Sequence, residues 1–355
     1  MPSIVLASVT PYAGKNVIAL GIARKLQREG KSVGYFKPIG PLVHMEDGVV
    51  TDEDAVFFKK ALGLDDDFMT LCPCALSNKQ VGDILSGESL CTKSRVLEAF
   101  AKASESHDIV VAVNMGRLSC GLSLGYPIHQ FIRDVNARLI VVDRYRWPVE
   151  TLDGMIHMKE LLPDAFAGVV FNRISPADAS TIEKRVRPFL KNRGIEVFGI
   201  VPDDIILGAA PISDIVEILN GTVLCAPDKL DGLVEHFSIG AMKADAALRV
   251  FQRVPHKGVI TGGDRSDIQL AALQTSTRCI VLTGALHPNE RILTRAEELG
   301  VPVILTDKDT SSTAELCERL HGRLSLNSER KIARVDEVLE PNVNWEGLYA
   351  ALGID

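Results

Sequence analysis

Apolar residues arrive along this chain in two alternating rhythms. Aliphatic and β-branched runs at 4–7, 32–36, 109–113, 139–142 and 168–171 read as strands, too evenly apolar to leave one face in water. Between them the spacing changes to three and four. Val17, Ile18, Ile22 and Leu26 fall on one helical face, and Gly30 supplies a stop. Stretches 94–104 and 127–135 carry the same helical rhythm. Such alternation predicts a doubly wound α/β fold around a mainly parallel sheet.

The pattern breaks at Gly199-Ile200-Val201-Pro202-Asp203-Asp204 and then resumes. Strands are expected at 258–261, 279–283 and 301–306, and helices at 267–273, 289–300 and 311–320. These short units predict a second, smaller α/β domain. The expected domains are therefore 1–210 and 211–326, followed by a charged tail, 327–355. In that tail Asn344-Trp345-Glu346-Gly347-Leu348-Tyr349 is expected to form a helix docked on the body. Length agrees, since 355 residues at roughly 150 per domain suggest about two.

Composition narrows the function classes. With 46% hydrophobic and 24% charged residues the chain is ordinary globular material, and only 5% aromatics means aliphatic cores. A net charge of −7 argues against a chain-wide nucleic-acid footprint. Arg144-Tyr145-Arg146-Trp147 mixes cations with rings as single-strand binders do, but in so acidic a chain it reads as a loop that packs locally. No apolar run approaches the roughly 18 residues of a membrane span, and the first residues read as a strand rather than a signal peptide. A cytoplasmic protein with reduced thiols is expected. The seven cysteines are scattered, and Cys72-Pro73-Cys74 lacks a second pair at zinc spacing, so it reads as two buried thiols. The eight histidines are dispersed and read as packing or surface residues.

The chemistry concentrates in Ser8-Val9-Thr10-Pro11-Tyr12-Ala13-Gly14-Lys15-Asn16, between the first strand and first helix. Gly-Lys at a helix start surrounds an anion with backbone N–H groups and the positive helix end, and the lysine adds a point charge for terminal phosphates. The motif is altered. Its leading glycine is Ser8 or Val9, and the hydroxyl that would reach magnesium is Asn16. Phosphate or nucleotide binding is the expectation.

With their neighbours added, residues 1–210 resemble the dethiobiotin synthetase family of P-loop proteins. The marks are 10–15, Tyr35-Phe36-Lys37-Pro38, Asp52-Glu53-Asp54-Ala55 and Gly168-Val169-Val170-Phe171-Asn172. The resemblance implies an adenine nucleotide, ATP above all, held around Thr10, Tyr12, Ala13, Gly14, Lys15 and Asn16. It places Lys37 over the phosphates, gives any Mg²⁺ to Asp54, and has Asn172 read the base. From 199 onward, 199–211, Gly240-Ala241-Met242 and 260–273 follow one another as in the N-terminal region of long bacterial phosphotransacetylases. There a dethiobiotin-synthetase-like domain precedes a DRTGG domain. No counterpart of their acetyltransferase domain lies in these residues, so transacetylase activity is not implied.

The departures shape the functional reading. The family's second acidic metal ligand is replaced by Asn114 in Val113-Asn114-Met115-Gly116, the acidic residue before the loop glycine by Tyr12, and the serine after Lys-Pro by Ile39. Mg²⁺ sites use one or two carboxylates besides phosphate oxygens, so phosphoryl transfer is poorly provided for. Asp143 is either a strand-end cap or a substitute carboxylate. In the second domain Gly262, Gly263, Asp264 and Arg265 form a strand-to-helix turn. It is either a tight turn capped by Asp264 or Ser266, or, by the DRTGG resemblance, a ligand-sensing or dimer-forming element. Thr283-Gly284 and Thr306-Asp307 would share that edge. The favoured reading is a homodimeric nucleotide-binding regulatory protein with a small-molecule nucleotide, a regulatory protein partner and no nucleic acid or membrane. The other is an ATP-dependent ligase of the dethiobiotin or cobyrinic acid diamide synthase type.

Overall fold

A computed structural model describes residues 2–87, 93–117, 119–320 and 329–354. The chain divides into two compact units, Met1–Asp204 with Leu324–Asp355, and Ile205–Arg323. The boundary expected between 326 and 327 lies outside the described residues.

In the first unit the strands are β1 (Ser3–Ala7), β2 (Val33–Phe36), β3 (Val43–Glu46), β4 (Val49–Asp52), β5 (Ile109–Val113), β6 (Arg138–Asp143), β7 (Phe166–Ile174) and β8 (Val197–Pro202). Six of them make one sheet in the order β2-β5-β1-β6-β7-β8, with every neighbouring pair parallel. β1 sits centrally, with Leu6 level with Val113 on one side and Ile140 on the other. All five β1 residues are buried, as its unbroken aliphatic run requires. β3 and β4 form a separate antiparallel hairpin.

Helix Lys15–Arg28 buries more than one stripe. Beside Val17, Ile18, Ile22 and Leu26, its Ala19, Leu20, Gly21 and Ala23 are buried too. The extra cover is the C-terminal helix Glu329–Leu339. A Cβ on Gly21 would stand 2.0 Å from Leu339 Cδ1, so glycine makes room for that leucine. Arg24 donates through Nε and Nη2 to the Asp336 carboxylate, and Lys25 reaches Glu340 at 3.0 Å. Beyond that helix the chain pairs with the edge strand: Ile200 N donates to Asn342 O and Asn344 N to Phe198 O. Covering an edge strand removes unpaired backbone groups that would template aggregation. Helix Trp345–Leu352 follows, capped by Asn344, whose side chain accepts from Gly347 N.

The second unit contains β9 (Ala210–Pro211), β10 (Thr222–Cys225), β11 (Leu233–Val234), β12 (His236–Ile239), β13 (Lys257–Gly262), β14 (Thr277–Thr283) and β15 (Val303–Leu305). Five form a sheet in the order β10-β15-β14-β13-β12, parallel except for β10. Alternate residues feed two cores. Val259, Ile280, Leu282 and Val303 join Ile268 and Ile292 on one face, whereas Ile260, Val281 and Ile304 join Ile215, Leu219 and Cys317 on the other.

One thiol expectation is corrected. Cys72 is free and buried, but Cys74 is disulfide-bonded. The pairing escaped the sequence because disulfide connectivity cannot be read from spacing. The other described cysteines, Cys120, Cys225, Cys279 and Cys317, are free. No helix among the described residues is long and apolar enough to cross a membrane.

Candidate functional site

The altered Gly-Lys loop lies where parallel sheets place their ligands, at the carboxyl ends of the strands. It leaves β1 at Ala7 and enters helix Lys15–Arg28 at Gly14, whose φ of 83° is left-handed. That backbone favours glycine, and a Cβ there would also fall 2.2 Å from Asn172 Nδ2. No side chain caps the helix, so the N–H groups of its first turn have no side-chain acceptor.

Asp143, at the end of β6 and wholly buried, braces the loop. Its Oδ2 accepts from Val9 N at 2.7 Å and Thr10 N at 2.8 Å, while Oδ1 accepts from Arg144 N at 2.8 Å and from the Thr10 hydroxyl. Burial pushes this carboxyl up and those bonds pull it back. With both oxygens occupied by protein donors, Asp143 is the strand-end cap rather than the substitute metal carboxylate. Next to it, Arg144 Nη2 donates to Tyr12 O and so holds Tyr12 in its left-handed conformation, φ 55°. Burial, then Arg173, pushes the Arg144 guanidinium down to about 10, and its Nε is buried without a partner.

Lys15 is nearly buried, at 9% exposure. Its Nζ donates to Ser8 Oγ at 2.9 Å and Gly116 O at 3.1 Å, both neutral acceptors. Among the described residues no carboxylate reaches it at ion-pair distance. Burial pushes its ammonium down to about 8 and Lys37 adds to the shift, with Asp54 and Asp143 opposing from further away.

Lys37 is the opposite case. Also buried, it donates to Asp54 Oδ2 and lies 2.9 Å from Asp52 Oδ1. Burial alone would lower it, but the two acids raise it above its ordinary value. Asp52 further accepts from Leu42 N at 2.8 Å and caps helix Glu53–Leu62 through Asp54 N at 3.0 Å. Asp54, the residue assigned to magnesium by resemblance, is thus neutralised by Lys37. Among the described residues no three His, Cys, Asp or Glu side chains gather as a metal site.

Asn172, buried near the end of β7, donates through Nδ2 to Ala13 O at 2.9 Å and ties that strand to the loop. Asn114 donates to Arg117 O at 3.1 Å and shapes the turn whose Gly116 carbonyl receives Lys15. Asn16 is half-buried in the first helical turn. The fold therefore gathers Thr10, Tyr12, Ala13, Gly14, Lys15 and Asn172 around one loop, and pairs Lys37 with Asp54 beside it. The sequence reading assigned no site role to Gly116, Arg144 or Asp52, which serve the loop or its lysines from other elements, and none beyond the leading motif position to Ser8. An arginine and an aspartate next to recognised strand ends were the only signal.

In the second unit the turn 262–265 closes on itself. Gly263 is indispensable, since a Cβ there would stand 1.6 Å from Leu286 O. Gln269 Nε2 donates to Gly262 O and Gly263 O, both at 3.0 Å, and its Oε1 is buried without a partner. Arg265 donates to Asp267 through Nε and Nη2, each 3.0 Å, and to Met242 O at 2.8 Å. The cap expected from Asp264 or Ser266 is not made: Arg265 is the cap residue of helix Ser266–Leu273 and no side chain bonds there. Within the chain it is the carboxylate of Asp267 that takes the Arg265 charge. At the same strand ends Thr283 Oγ1 lies 2.9 Å from Thr310 Oγ1, and Thr306 Oγ1 donates to Leu219 O.

A parallel six-stranded sheet whose first strand runs through a Gly-Lys loop into a helix defines a P-loop-type α/β domain. Residues 3–211 match the family model of an AAA domain (AAA_26), and residues 214–320 match the DRTGG domain. The chain belongs to the AAA_26 family and carries a DRTGG domain. Among its relatives, phosphate acetyltransferase of Synechocystis sp. is 26% identical over 375 residues, 98% of this chain and 51% of that protein. The Pseudomonas aeruginosa phosphate acetyltransferase is 25% identical over 366 residues, 96% of this chain and 50% of the other. ATP-dependent dethiobiotin synthetase BioD of Nitrosopumilus maritimus is 24% identical over 213 residues, 57% of this chain and 89% of that enzyme. The chain spans about half the length of the acetyltransferases it matches. Both resemblances read from the sequence are thereby established.

Proposed function

We propose that the chain binds an adenine nucleotide, ATP in the first instance, and uses it to regulate or sense rather than to transfer phosphoryl groups. The observation that carries this reading is Lys15: a nearly buried ammonium at an uncapped helix start, resting on two neutral oxygens. A buried cation without a counter-ion is costly, and a phosphate is the anion that such a helix terminus accommodates. Lys15 and the backbone around Gly14 hold the phosphates, Lys37 assists, and Asn172 meets the base. Asp54 serves any Mg²⁺, which must compete with Lys37 for its carboxylate. Asn114 supplies an amide where a second carboxylate would be needed, which disfavours the ligase reading. The DRTGG domain acts as the ligand-sensing or dimer-forming partner of the first domain, in a cytoplasmic homodimer that controls another protein.

Calorimetric titration of the whole chain with ATP and Mg²⁺ tests the proposal. Micromolar binding that weakens at least a hundredfold in Lys15→Ala is expected, without steady ADP release. Absence of heat in the wild-type chain would overturn the nucleotide reading. Steady ADP release in the presence of a small carboxylic acid would replace the regulator with the ligase.

A further inference from the structure

Before the amino ends of β2 and β5, the opposite end of the strands from the Gly-Lys loop, three side chains far apart in sequence meet. Ser32 Oγ lies 3.0 Å from His107 Nδ1, and His107 Nε2 lies 2.8 Å from Asp66 Oδ2. All three border a cleft of about 530 Å³, together with Gln27, Val33, Leu62, Leu64 and Asp65 among others. We propose that Ser32, His107 and Asp66 form a hydrolytic site for short, uncharged or cationic carboxylic esters.

The hydrogen-bond order is the one nucleophilic catalysis needs. A carboxylate only accepts, so Asp66 takes the Nε2 proton and leaves Nδ1 to accept from the Ser32 hydroxyl. Asp66 is nearly buried and His107 mostly so, with side-chain exposures of 8% and 12%, whereas Ser32 is open to solvent. Each member is fixed by its surroundings. Ser32 N donates to Asp108 Oδ2 at 2.8 Å, and its carbonyl accepts from Asp108 N and Ile109 N where β5 begins. The imidazole lies against Gly34, where a Cβ would stand 2.5 Å from His107 Cδ2. Asp66 stands in the short link between the left-handed Gly63 that ends helix Glu53–Leu62 and the Asp67 cap of the next helix.

The chemistry balances without any co-reactant but water. Ser32 Oγ bonds to the acyl carbon as its proton passes to His107 Nδ1. His107 returns that proton to the leaving alcohol as the C–O bond breaks. Water then attacks the acyl-serine, giving its proton to His107, and Ser32 departs with it. Among the described residues the cleft's lining includes Asp65 and Asp66 but no lysine or arginine, the nearby Lys59 ammonium being held on the Asp66 carbonyl, which favours neutral or cationic substrates over anionic ones.

The test uses the full chain with p-nitrophenyl acetate and a fluorophosphonate probe, followed by peptide mass spectrometry. The wild type is expected to carry one adduct, on Ser32, and to hydrolyse the ester above the buffer rate. Ser32→Ala, an exposed change that leaves the backbone bonds in place, is expected to lose the adduct and at least tenfold in rate. His107→Gln should do the same. A wild-type chain without an adduct on Ser32, or Ser32→Ala that hydrolyses as fast as wild type, overturns the proposal. The three residues would then be a strut between loops.

Discussion

Burying an ammonium group with no anion beside it costs free energy, and Lys15 is such a group. Burial pushes it down to about 8 from an ordinary 10.5, so folding disfavours its charged form relative to the unfolded chain. The penalty is full below pH 8 and is relieved as pH rises towards 10.5, because in that window the unfolded chain binds the extra proton. Lys15→Met removes it, and the two oxygens left behind satisfy each other, since Ser8 Oγ already donates to Gly116 O at 3.2 Å. The variant is therefore expected to be more stable than wild type by about 1–3 kcal/mol at pH 7, with the gain shrinking towards pH 10.5, as urea unfolding across that range would reveal. The same substitution should abolish ATP binding, and a variant that is destabilised at pH 7 would refute the account. Wild-type affinity for ATP should fall as pH rises past 8, where the free protein gives up the proton that phosphate needs. At this scale the sequence was half legible. Gly14 and Lys15 announced themselves through spacing at a strand–helix junction. Asp143 could be read as a strand-end cap, but its hold on Val9 and Thr10 and the bond of Arg144 to Tyr12 could not, because both act from more than a hundred residues away.

Turns and edges are where element-scale reading succeeded unevenly. The strand–turn–helix at 257–273 was foreseen, including its paired glycines, since a Gly-Gly between a β-branched run and a helical face signals close backbone approach. The neighbour being approached was not foreseen: it is the carbonyl of Leu286. Because that neighbour is backbone, it cannot turn aside as a side-chain tip would. Gly263→Ala is therefore expected to displace the 284–288 segment and to cost about 1–3 kcal/mol. Gly262→Ala, which meets only the Asp264 side chain at 2.5 Å, should cost less. Thermal unfolding of the two variants side by side checks the order, and equal losses would contradict it. In the second unit's five-stranded sheet the strands that went unread, Thr222–Cys225 and His236–Ile239, lie at the two edges and are largely half-exposed. An edge strand needs no unbroken apolar run, so its sequence carries little of the signal that marked β13 and β14. His107 escaped for a related reason, since histidine dispersed along a chain gives no hint of which acid it will meet.

On the scale of the whole molecule the first unit holds the described residues up to Asp204 and again from 329 onward, so the second unit is an insertion. Pattern alone favoured serial domains with a tail, because helix periodicity says which residues face inward but not which core they face. The returning segment completes the first unit twice over. It buries Val335, Val338 and Leu339, the last against Gly21, and it pairs with the backbone of β8. Ending the chain at residue 323 removes several buried aliphatic side chains at once, each worth about 2–5 kcal/mol when a leucine is cut to alanine. The same cut unpairs Phe198 O and Ile200 N. Hydrogen exchange of the shortened chain should therefore rise steeply in Lys15–Arg28 and Val197–Pro202. Lys257–Gly262 and Thr277–Thr283, which belong to cores of their own, should exchange as in the full chain. Loss of protection in both units together would mean that they open as one cooperative body. Selective loss in the first would place the C-terminal helices among the supports of the Lys15 loop, and nucleotide affinity of the shortened chain should fall with it.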